Sequence, residues 1–196
     1  MYGVASWPMT CVDPAPFELE GLRRGDPDAL ARLIERYQER LFRYLLNLTG
    51  HRQTAEDLFQ ETWVRVLEKG HLYKDKWKFD AWLFSVARHL VIDQVRRKKA
   101  VSLDELVESQ PAKPEIGAGD DLSPLELCSR TEQSERIWAA LQQLPVPCRE
   151  VILLRFHEDM QLDEIAQVVH APLSTVKSRL YRGLETLRGL FEGEQA

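Results

Sequence analysis

The sequence has few of the features that mark membrane, secreted or metal-binding proteins. No apolar run approaches the ~20 residues that a membrane-spanning helix needs, so we expect no membrane insertion. Cys11, Cys128 and Cys148 are far apart and have no CxxC spacing, which argues against a disulfide framework and a zinc site. The beginning of the sequence lacks the basic start and apolar stretch of a secretory signal. These absences predict a protein of the reducing cytoplasm.

The sequence also lacks the patterns of common catalytic sites. Its five histidines have no metal-ligand spacing, no glycine-rich phosphate loop is present, and no serine or cysteine has an evident base nearby in sequence. We therefore expect no enzymatic activity, no metal and no cofactor.

The net charge of −5 is concentrated in one segment. Residues 101–135 contain nine acidic and two basic side chains, so they carry −7 and the rest of the chain carries +2. The overall acidity therefore does not argue against DNA as a partner. Prolines and glycines interrupt the same segment, which predicts a flexible acidic linker over residues 101–130.

Helical periodicity dominates on both sides of this linker, and no stretch alternates with the period of two that a half-buried strand requires. The pattern predicts an all-α protein with two small helical domains. We expect a loose leader over residues 1–16, a first bundle over 17–100, and a second helical domain over 131–196.

Glycines and capping residues predict the helix ends of the first bundle. Gly25 and Gly50 are expected to end two successive helices, and Asp26 to cap the second of them. Thr54 and Asp80 are expected to cap the third and fourth helices. Apolar periodicity places further side chains, in this bundle and in the second domain, on inward helix faces, among them Leu67, Ile137 and Leu184.

The second domain contains a predicted helix-turn-helix. A short amphipathic helix over 162–169 is followed by a turn at His170 and a longer helix from Ser174. His170 stands where such a turn usually has glycine, so we expect a positive φ there. The exposed face of the second helix is basic, which suits a helix whose N-terminal end enters the major groove. The alternative is an ordinary amphipathic helix whose basic residues keep it hydrated.

Several strings of residues carry a resemblance to a known family. Residues 55–63, 79–84 and 87–93 are similar to region two of the extracytoplasmic-function sigma factors, and residues 162–166 and 174–180 resemble region four. The strings follow the family's order on either side of the linker. The resemblance implies a subunit that brings RNA polymerase to promoters and helps to open the DNA there.

The resemblance also implies roles for individual residues. Polymerase contact, through the clamp helices of the largest subunit, is assigned to Asp57, Gln60 and Glu61. A further implied contact is the flap of the second-largest subunit. Contact with the minus-ten DNA is assigned to Lys74, Lys76, Trp77, Lys78, Phe79, Arg88, His89, Arg96 and Arg97. Contact with the minus-thirty-five DNA is assigned to Ser174, Thr175, Lys177, Ser178, Arg179 and Arg182.

Alternative interpretations remain open at this point. The acidic stripe on the third helix could be a solvated face partly neutralised by Arg65, and Phe79 and Trp82 could be core side chains. The whole chain could be a dimeric helix-turn-helix regulator that binds palindromic DNA without polymerase. It could also be a helical interaction module without a nucleic-acid role, for which DNA binding would depend only weakly on salt. The expected partners are core RNA polymerase and promoter DNA, and an anti-sigma factor is a further candidate.

Overall fold

The computed structural model describes residues 13–74, 76–104 and 132–193, and outside short turns these residues are helical. The prediction of an all-α protein is therefore confirmed. The N-terminal unit, residues 13–104, contains α1 (Pro16–Arg24), α2 (Pro27–Thr49), α3 (Arg52–Lys69), a 3-10 turn (Gly70–Leu72) and α4 (Phe79–Asp104). The C-terminal unit, residues 132–193, contains α5 (Glu132–Gln142), α6 (Val146–Ile152), α7 (Leu162–Val168) and α8 (Leu173–Gly193). A π-helical turn, Leu153–His157, continues α6.

The predicted leader and linker fall largely outside the described residues. Helix α1 begins at Pro16, the last residue of the predicted leader, and α4 continues to Asp104, four residues into the segment predicted as linker. Residues 105–131 are not among those described.

Two of the predicted helix ends are confirmed by backbone geometry. Gly25 and Gly50 follow α1 and α2 with φ of 74° and 71°, a left-handed conformation that glycine adopts without steric cost. Asp26 caps α2 as predicted, because its carboxylate accepts a hydrogen bond from the backbone nitrogen of Asp28 at 3.0 Å.

Two predicted caps are wrong. Helix α3 begins at Arg52, before Thr54, with His51 as its N-cap residue. Helix α4 begins at Phe79, so Asp80 is already inside its first turn. The Asp80 carboxylate is taken by tertiary contacts, since it accepts hydrogen bonds from the Tyr37 hydroxyl at 2.5 Å and from Arg40 at 2.9 Å. Asp80 therefore forms buried tertiary hydrogen bonds and does not cap the helix.

Helix α2 forms the centre of the N-terminal unit and packs against α1, α3 and α4. Its apolar stripe is fully buried, with Leu33, Tyr37, Leu41 and Leu45 each at 0% exposure. Burial of such side chains contributes ~1.5 to 3 kcal/mol each relative to exposure, so this stripe is the main support of the unit.

The helix-turn-helix of the C-terminal unit has the predicted turn. His170 has φ of 47°, which confirms the positive φ expected where glycine is usual. Ile165 on α7 and Val176 on α8 are completely buried between the two helices. Gly183 lets α8 approach α6, since a Cβ there would lie 2.6 Å from Ile152 Cδ1.

Three side chains predicted to face inward are partly or largely exposed. Their exposed fractions are 45% for Leu67, 43% for Ile137 and 37% for Leu184. Each lies at the edge of its apolar stripe, where periodicity alone does not decide between the core and the surface.

The two units pack against each other, an arrangement on which the predicted flexible linker gave no information. Helix α4 contacts α7, and α2 contacts α6. Across this contact Arg40 Nε donates to Glu158 Oε2 at 2.6 Å, and both side chains are buried. The partners are 118 positions apart in sequence. No local pattern could therefore have predicted their pairing.

In the part of the chain that the structure describes, no helix is both long and apolar enough to cross a membrane.

Candidate nucleic-acid and polymerase interface

The loop before α4 presents an exposed aromatic ring among lysines. The Trp77 side chain is 45% exposed, and Lys76 Nζ lies 5.3 Å from the centre of its ring. The loop is held in place because the Tyr73 hydroxyl donates to the Trp77 carbonyl at 2.8 Å. Lys74 and Lys78 are also exposed, so the ring stands in a cationic surface.

Phe79 supports this loop from below. It is 2% exposed, and its ring lies 5.4 Å from that of Tyr37 and 5.6 Å from that of Tyr73. Trp82 is half-buried and packs against Phe79 at 5.6 Å. The structure thus places Phe79 and Trp82 in or against the core, as the alternative interpretation of these two residues had it.

Helix α4 carries the remaining predicted minus-ten residues. Arg96 and Arg97 are exposed toward its end. Arg88 is half-buried, and its Nε donates to Glu150 Oε1 of the C-terminal unit at 2.8 Å. His89 is exposed, and its Nδ1 donates to the Ser85 carbonyl at 2.7 Å.

Two carboxylates of the C-terminal unit, Glu150 and Glu164, raise the pKa of side chains of the N-terminal unit. Glu150 also accepts a hydrogen bond from the Tyr44 hydroxyl at 2.9 Å. Burial first, and the Glu150 charge second, raise the pKa of Tyr44 well above its usual value, so Tyr44 stays a neutral donor. A hydrogen bond with Glu164, reinforced by the charge of that carboxylate, raises the pKa of Lys78.

The turn of the helix-turn-helix touches the same face of α4. The His170 and His89 rings are 4.5 Å apart, and Ser85 Oγ lies 3.2 Å from His170 Nε2. Burial lowers the pKa of His170, and the neighbouring His89 and Arg88 lower it further, because all three influences disfavour a positive charge.

The predicted minus-thirty-five residues lie together at the start of α8. Ser174 and Lys177 are exposed. Arg182 is exposed too, and its Nε donates to the Ser178 carbonyl at 3.2 Å. Arg179 is half-buried, and its Nη1 has no hydrogen-bond partner among the described residues. The other two predicted residues of this surface, both half-buried, are Thr175 and Ser178.

One exposed aromatic on α8 was missed by the sequence analysis. Tyr181 is 69% exposed and lies next to Arg182. Its position in the sequence could have predicted its exposure, because it directly follows the buried Leu180 and therefore lies outside the apolar stripe of α8.

The predicted polymerase-binding residues lie on one side of α3. Asp57 and Gln60 are exposed, and the half-buried Glu61 forms an ion pair with Arg65 at 3.0 Å. The same side continues with two exposed apolar side chains, Val64 at 50% and Leu67 at 45%. From Asp57 to Leu67 this surface, which we call the α3 stripe, is ~15 Å long and combines acidic with apolar groups. Val64 was missed because the sequence analysis sought only charge.

Two family models match the chain and define its class. The model of Sigma-70 region 2 matches residues 33–101, and the model of Sigma-70 region 4 matches residues 134–187. Together they cover more than half of the chain and include nearly all the helices just described. The fold and the match define a protein of the sigma-70 class.

Similar curated proteins narrow the class. The chain is 31% identical to the ECF RNA polymerase sigma factor SigX of Bacillus subtilis over 156 residues, and the aligned segment covers 80% of each protein. It is 30% identical to SigM of the same organism, over 81% of this chain and 93% of SigM. It is 29% identical to SigW, over 87% of this chain and 92% of SigW.

Solved structures share the fold. A structure of CnrH in complex with the cytosolic domain of CnrY matches with a TM-score of 0.64 and 19% identity, over 90% of this chain and 96% of that one. A sigma factor RpoE from Bartonella quintana, solved with the anti-sigma factor NepR, matches with a TM-score of 0.62 and 22% identity, over 83% and 96%.

The chain therefore belongs to the extracytoplasmic-function sigma factors of the sigma-70 family, with regions 2 and 4. As such it directs RNA polymerase to promoters, and it is not an enzyme. This membership confirms the resemblance seen in the sequence. It also decides against the two alternatives, the dimeric regulator and the module without a nucleic-acid role.

Proposed function

We propose that the two units divide promoter recognition between them. Residues 17–100 form region 2, which binds the polymerase clamp and the minus-ten element, and residues 131–196 form region 4, which binds the minus-thirty-five element. Residues 101–130 are the linker between them. The ranges matched by the two family models, 33–101 and 134–187, support this division.

The minus-ten element is bound by the loop 74–78 and the cationic face of α4. The observation that carries this proposal is the exposed Trp77 ring with Lys76 beside it, on a loop fixed by Tyr73. An unstacked base that stacks on such a ring gains ~1 to 3 kcal/mol. Capture of unstacked bases favours the open strands over the duplex, so binding free energy alone drives promoter melting. Phe79 positions the loop from the core.

The minus-thirty-five element is bound by the N-terminal half of α8. Exposed Lys177 and Arg182 suit phosphates or guanine edges in the major groove, and Ser174 at the start of the helix suits a backbone phosphate. Arg179 lies half-buried between Lys177 and Arg182 on the same helix, and the resemblance assigns it to the same DNA contact.

The α3 stripe is the proposed contact with the clamp helices of the largest polymerase subunit. Its exposed valine and leucine supply apolar area, and its carboxylates supply a charge that a basic partner complements. The flap of the second-largest subunit is the proposed contact of the C-terminal unit. Because CnrH and RpoE were solved with CnrY and with NepR, we further propose that an anti-sigma factor binds this chain.

Charge reversal in the α3 stripe tests the polymerase contact. We expect Asp57→Lys to weaken association with core RNA polymerase at least ~tenfold, because a rim charge becomes repulsive, and to reduce run-off transcription accordingly. Glu39→Lys is the matched control, since Glu39 is an exposed glutamate on α2 outside the stripe. Equal co-purification of the Asp57→Lys variant and the wild type would disprove the assignment.

Removal of the Trp77 ring tests the minus-ten contact. We expect Trp77→Ala to lower open-complex formation by the holoenzyme about five- to hundredfold, as loss of one stacked base predicts, with core binding unchanged. Permanganate reactivity of promoter thymines measures the opening. Phe17→Ala is the matched control, because Phe17 is also an exposed ring with a cation, Arg32, 5.7 Å from its centre. Similar opening by both variants would remove Trp77 from the proposed site.

A further inference from the structure

Helix α1 contacts the segment that carries Trp77 through one arginine. Arg23, in the last turn of α1, donates from its Nε to the backbone carbonyl of Tyr73 at 3.2 Å. Its guanidinium carbon also lies 5.6 Å from the centre of the Tyr73 ring. Because a guanidinium is planar and carries several N–H donors, one arginine is able to bind a carbonyl and to lie over a ring. Arg23 therefore contacts both the backbone and the side chain of Tyr73.

Tyr73 connects this contact to Trp77. Tyr73 is 4% exposed, and its ring lies 5.6 Å from that of Phe79 and 5.2 Å from that of Trp82. Its hydroxyl donates to the backbone carbonyl of Trp77 at 2.8 Å. The core and Arg23 thus hold the Tyr73 ring, and the hydroxyl of that ring holds the backbone from which the exposed Trp77 side chain projects.

The 3-10 turn before Tyr73 packs closely on α1. A Cβ at Gly70 would lie 3.0 Å from the carbonyl oxygen of Leu22, the residue before Arg23. The backbone nitrogen of Tyr73 donates to the Gly70 carbonyl at 3.1 Å. The end of α1 and the start of the loop are therefore packed together. Helix α1 lies before residues 33–101, the range that the region 2 model matches, so that match assigns the helix no role.

We propose that Arg23 and Tyr73 are positioning residues for the minus-ten contact, and that α1 thereby holds the Trp77 ring in the conformation that receives an unstacked base. This inference rests on the proposed minus-ten assignment of Trp77. A loop that samples several conformations binds only through the fraction that is competent, so a loop held in one conformation has a higher apparent affinity. Tyr73 is buried and acts on the DNA only through Trp77.

Two variants of the full chain loosen the loop at different points, and each has a matched control. Tyr73→Phe removes the hydroxyl and keeps the ring. Its control is Thr49→Val, because the Thr49 hydroxyl also donates to a backbone carbonyl of the N-terminal unit, at 2.9 Å. Arg23→Met removes the guanidinium and keeps an apolar stem. Its control is Arg24→Met, because Arg24 is the next residue of α1 and forms its ion pair with Glu20 on the surface of the same helix.

Open-complex formation by the holoenzyme, followed by permanganate reactivity of promoter thymines, measures the effect on function. We expect Tyr73→Phe and Arg23→Met each to lower it about two- to tenfold, as loss of one hydrogen bond predicts, with binding to core polymerase unchanged. The Thr49→Val and Arg24→Met controls should match the wild type. Unchanged opening in both loop variants, while Trp77→Ala lowers it, would overturn the proposal.

Fluorine NMR of the fluorotryptophan-labelled chain measures the loop itself. The Trp77 resonance, identified by its absence from a Trp77→Phe variant, should shift or broaden in Tyr73→Phe and in Arg23→Met, and in neither control. This signal reports the loop without DNA or polymerase. An unchanged Trp77 resonance in both loop variants would show that the two residues do not hold the ring, whatever the effect on opening.

Two further outcomes distinguish positioning from direct contact with DNA. In a Trp77→Ala background, Tyr73→Phe and Arg23→Met should cause no further loss of opening, because the ring that they position is absent; an additive loss would contradict the inference. Arg23→Lys keeps the positive charge but loses the planar guanidinium, so it should behave as Arg23→Met does. Full opening by Arg23→Lys would show that Arg23 supplies only charge, and would overturn its positioning role.

Failure of the proposed function gives a different result. If Trp77→Ala opens promoters as well as the wild type does, the minus-ten assignment fails and the inference fails with it. If Trp77→Ala is defective and both loop variants are not, only the inference fails.

Discussion

His170 combines a strained backbone with a side chain that touches the other unit. Sequence reasoning located the strain, because the turn of a helix-turn-helix usually has glycine there. It could not locate the contact with His89, since the two histidines are far apart in sequence and each lies on its own helical unit. His170 therefore departs from the local backbone preference and also contacts the other unit, so a change in its protonation would alter the contact between the two units.

The contact between the two units should weaken as the pH falls from 7.5 to 6. The lowered pKa of His170 means that the packed units favour neutral imidazole, whereas His170 in separated units would take up a proton near the ordinary value of ~6.5. The contribution of neutral His170 to the contact is therefore fully present above that value and decreases as the pH falls through it. Arg88, His89 and Ser85 face His170 from α4, and the two charged or titratable groups among them repel the added proton.

Small-angle X-ray scattering across this range checks the expectation, with His170→Asn as the control that tolerates the positive φ but does not titrate. The radius of gyration of the wild type should rise toward pH 6, and that of the variant should stay nearly constant. An equal rise in both would assign the effect to another group. Burial alone would raise the pKa of Glu158, but His157 and Arg40 hold it below its usual range, so this carboxylate does not titrate in the window.

At the scale of elements, close approach of α1 to α2 is set by one glycine. A Cβ at Gly21 would lie 2.6 Å from the Cβ of Ala29, an atom that no rotamer change can move. Gly70 has a similar role beside Leu22, where a Cβ would lie 2.8 Å from the Leu22 Cγ. The periodicity of apolar residues predicted the helices. It did not predict how closely their axes approach, because a glycine has no side chain that could contribute to the apolar pattern.

Gly21→Ala should therefore lower the free energy of unfolding by ~1 to 3 kcal/mol, since the backbones of α1 and α2 must separate. Gly189→Ala is the matched helical control, because nothing lies within 4 Å of its Cβ position. There the gain in helix propensity should raise stability by up to ~1 kcal/mol. Denaturant unfolding followed by circular dichroism measures both. A stabilised Gly21→Ala variant would disprove the close packing of the two helices.

At the scale of the whole molecule, sequence reasoning succeeded where information is local. Helix type, the ends at Gly25 and Gly50, and the basic start of α8 all depend on neighbouring residues. Asp80 was misread as a cap because its partners, Tyr37 and Arg40, are about 40 positions away. The packing of one unit on the other was missed for the same reason. It depends on pairs such as Tyr44 with Glu150, 106 positions apart.

Because the two units belong to the same polypeptide, the contact between them forms at a fixed effective concentration. For a tether of moderate length this is on the order of millimolar, whatever the amount of protein in solution. Dilution or higher expression would therefore leave the packing of one unit on the other unchanged, unlike the packing of two separate subunits.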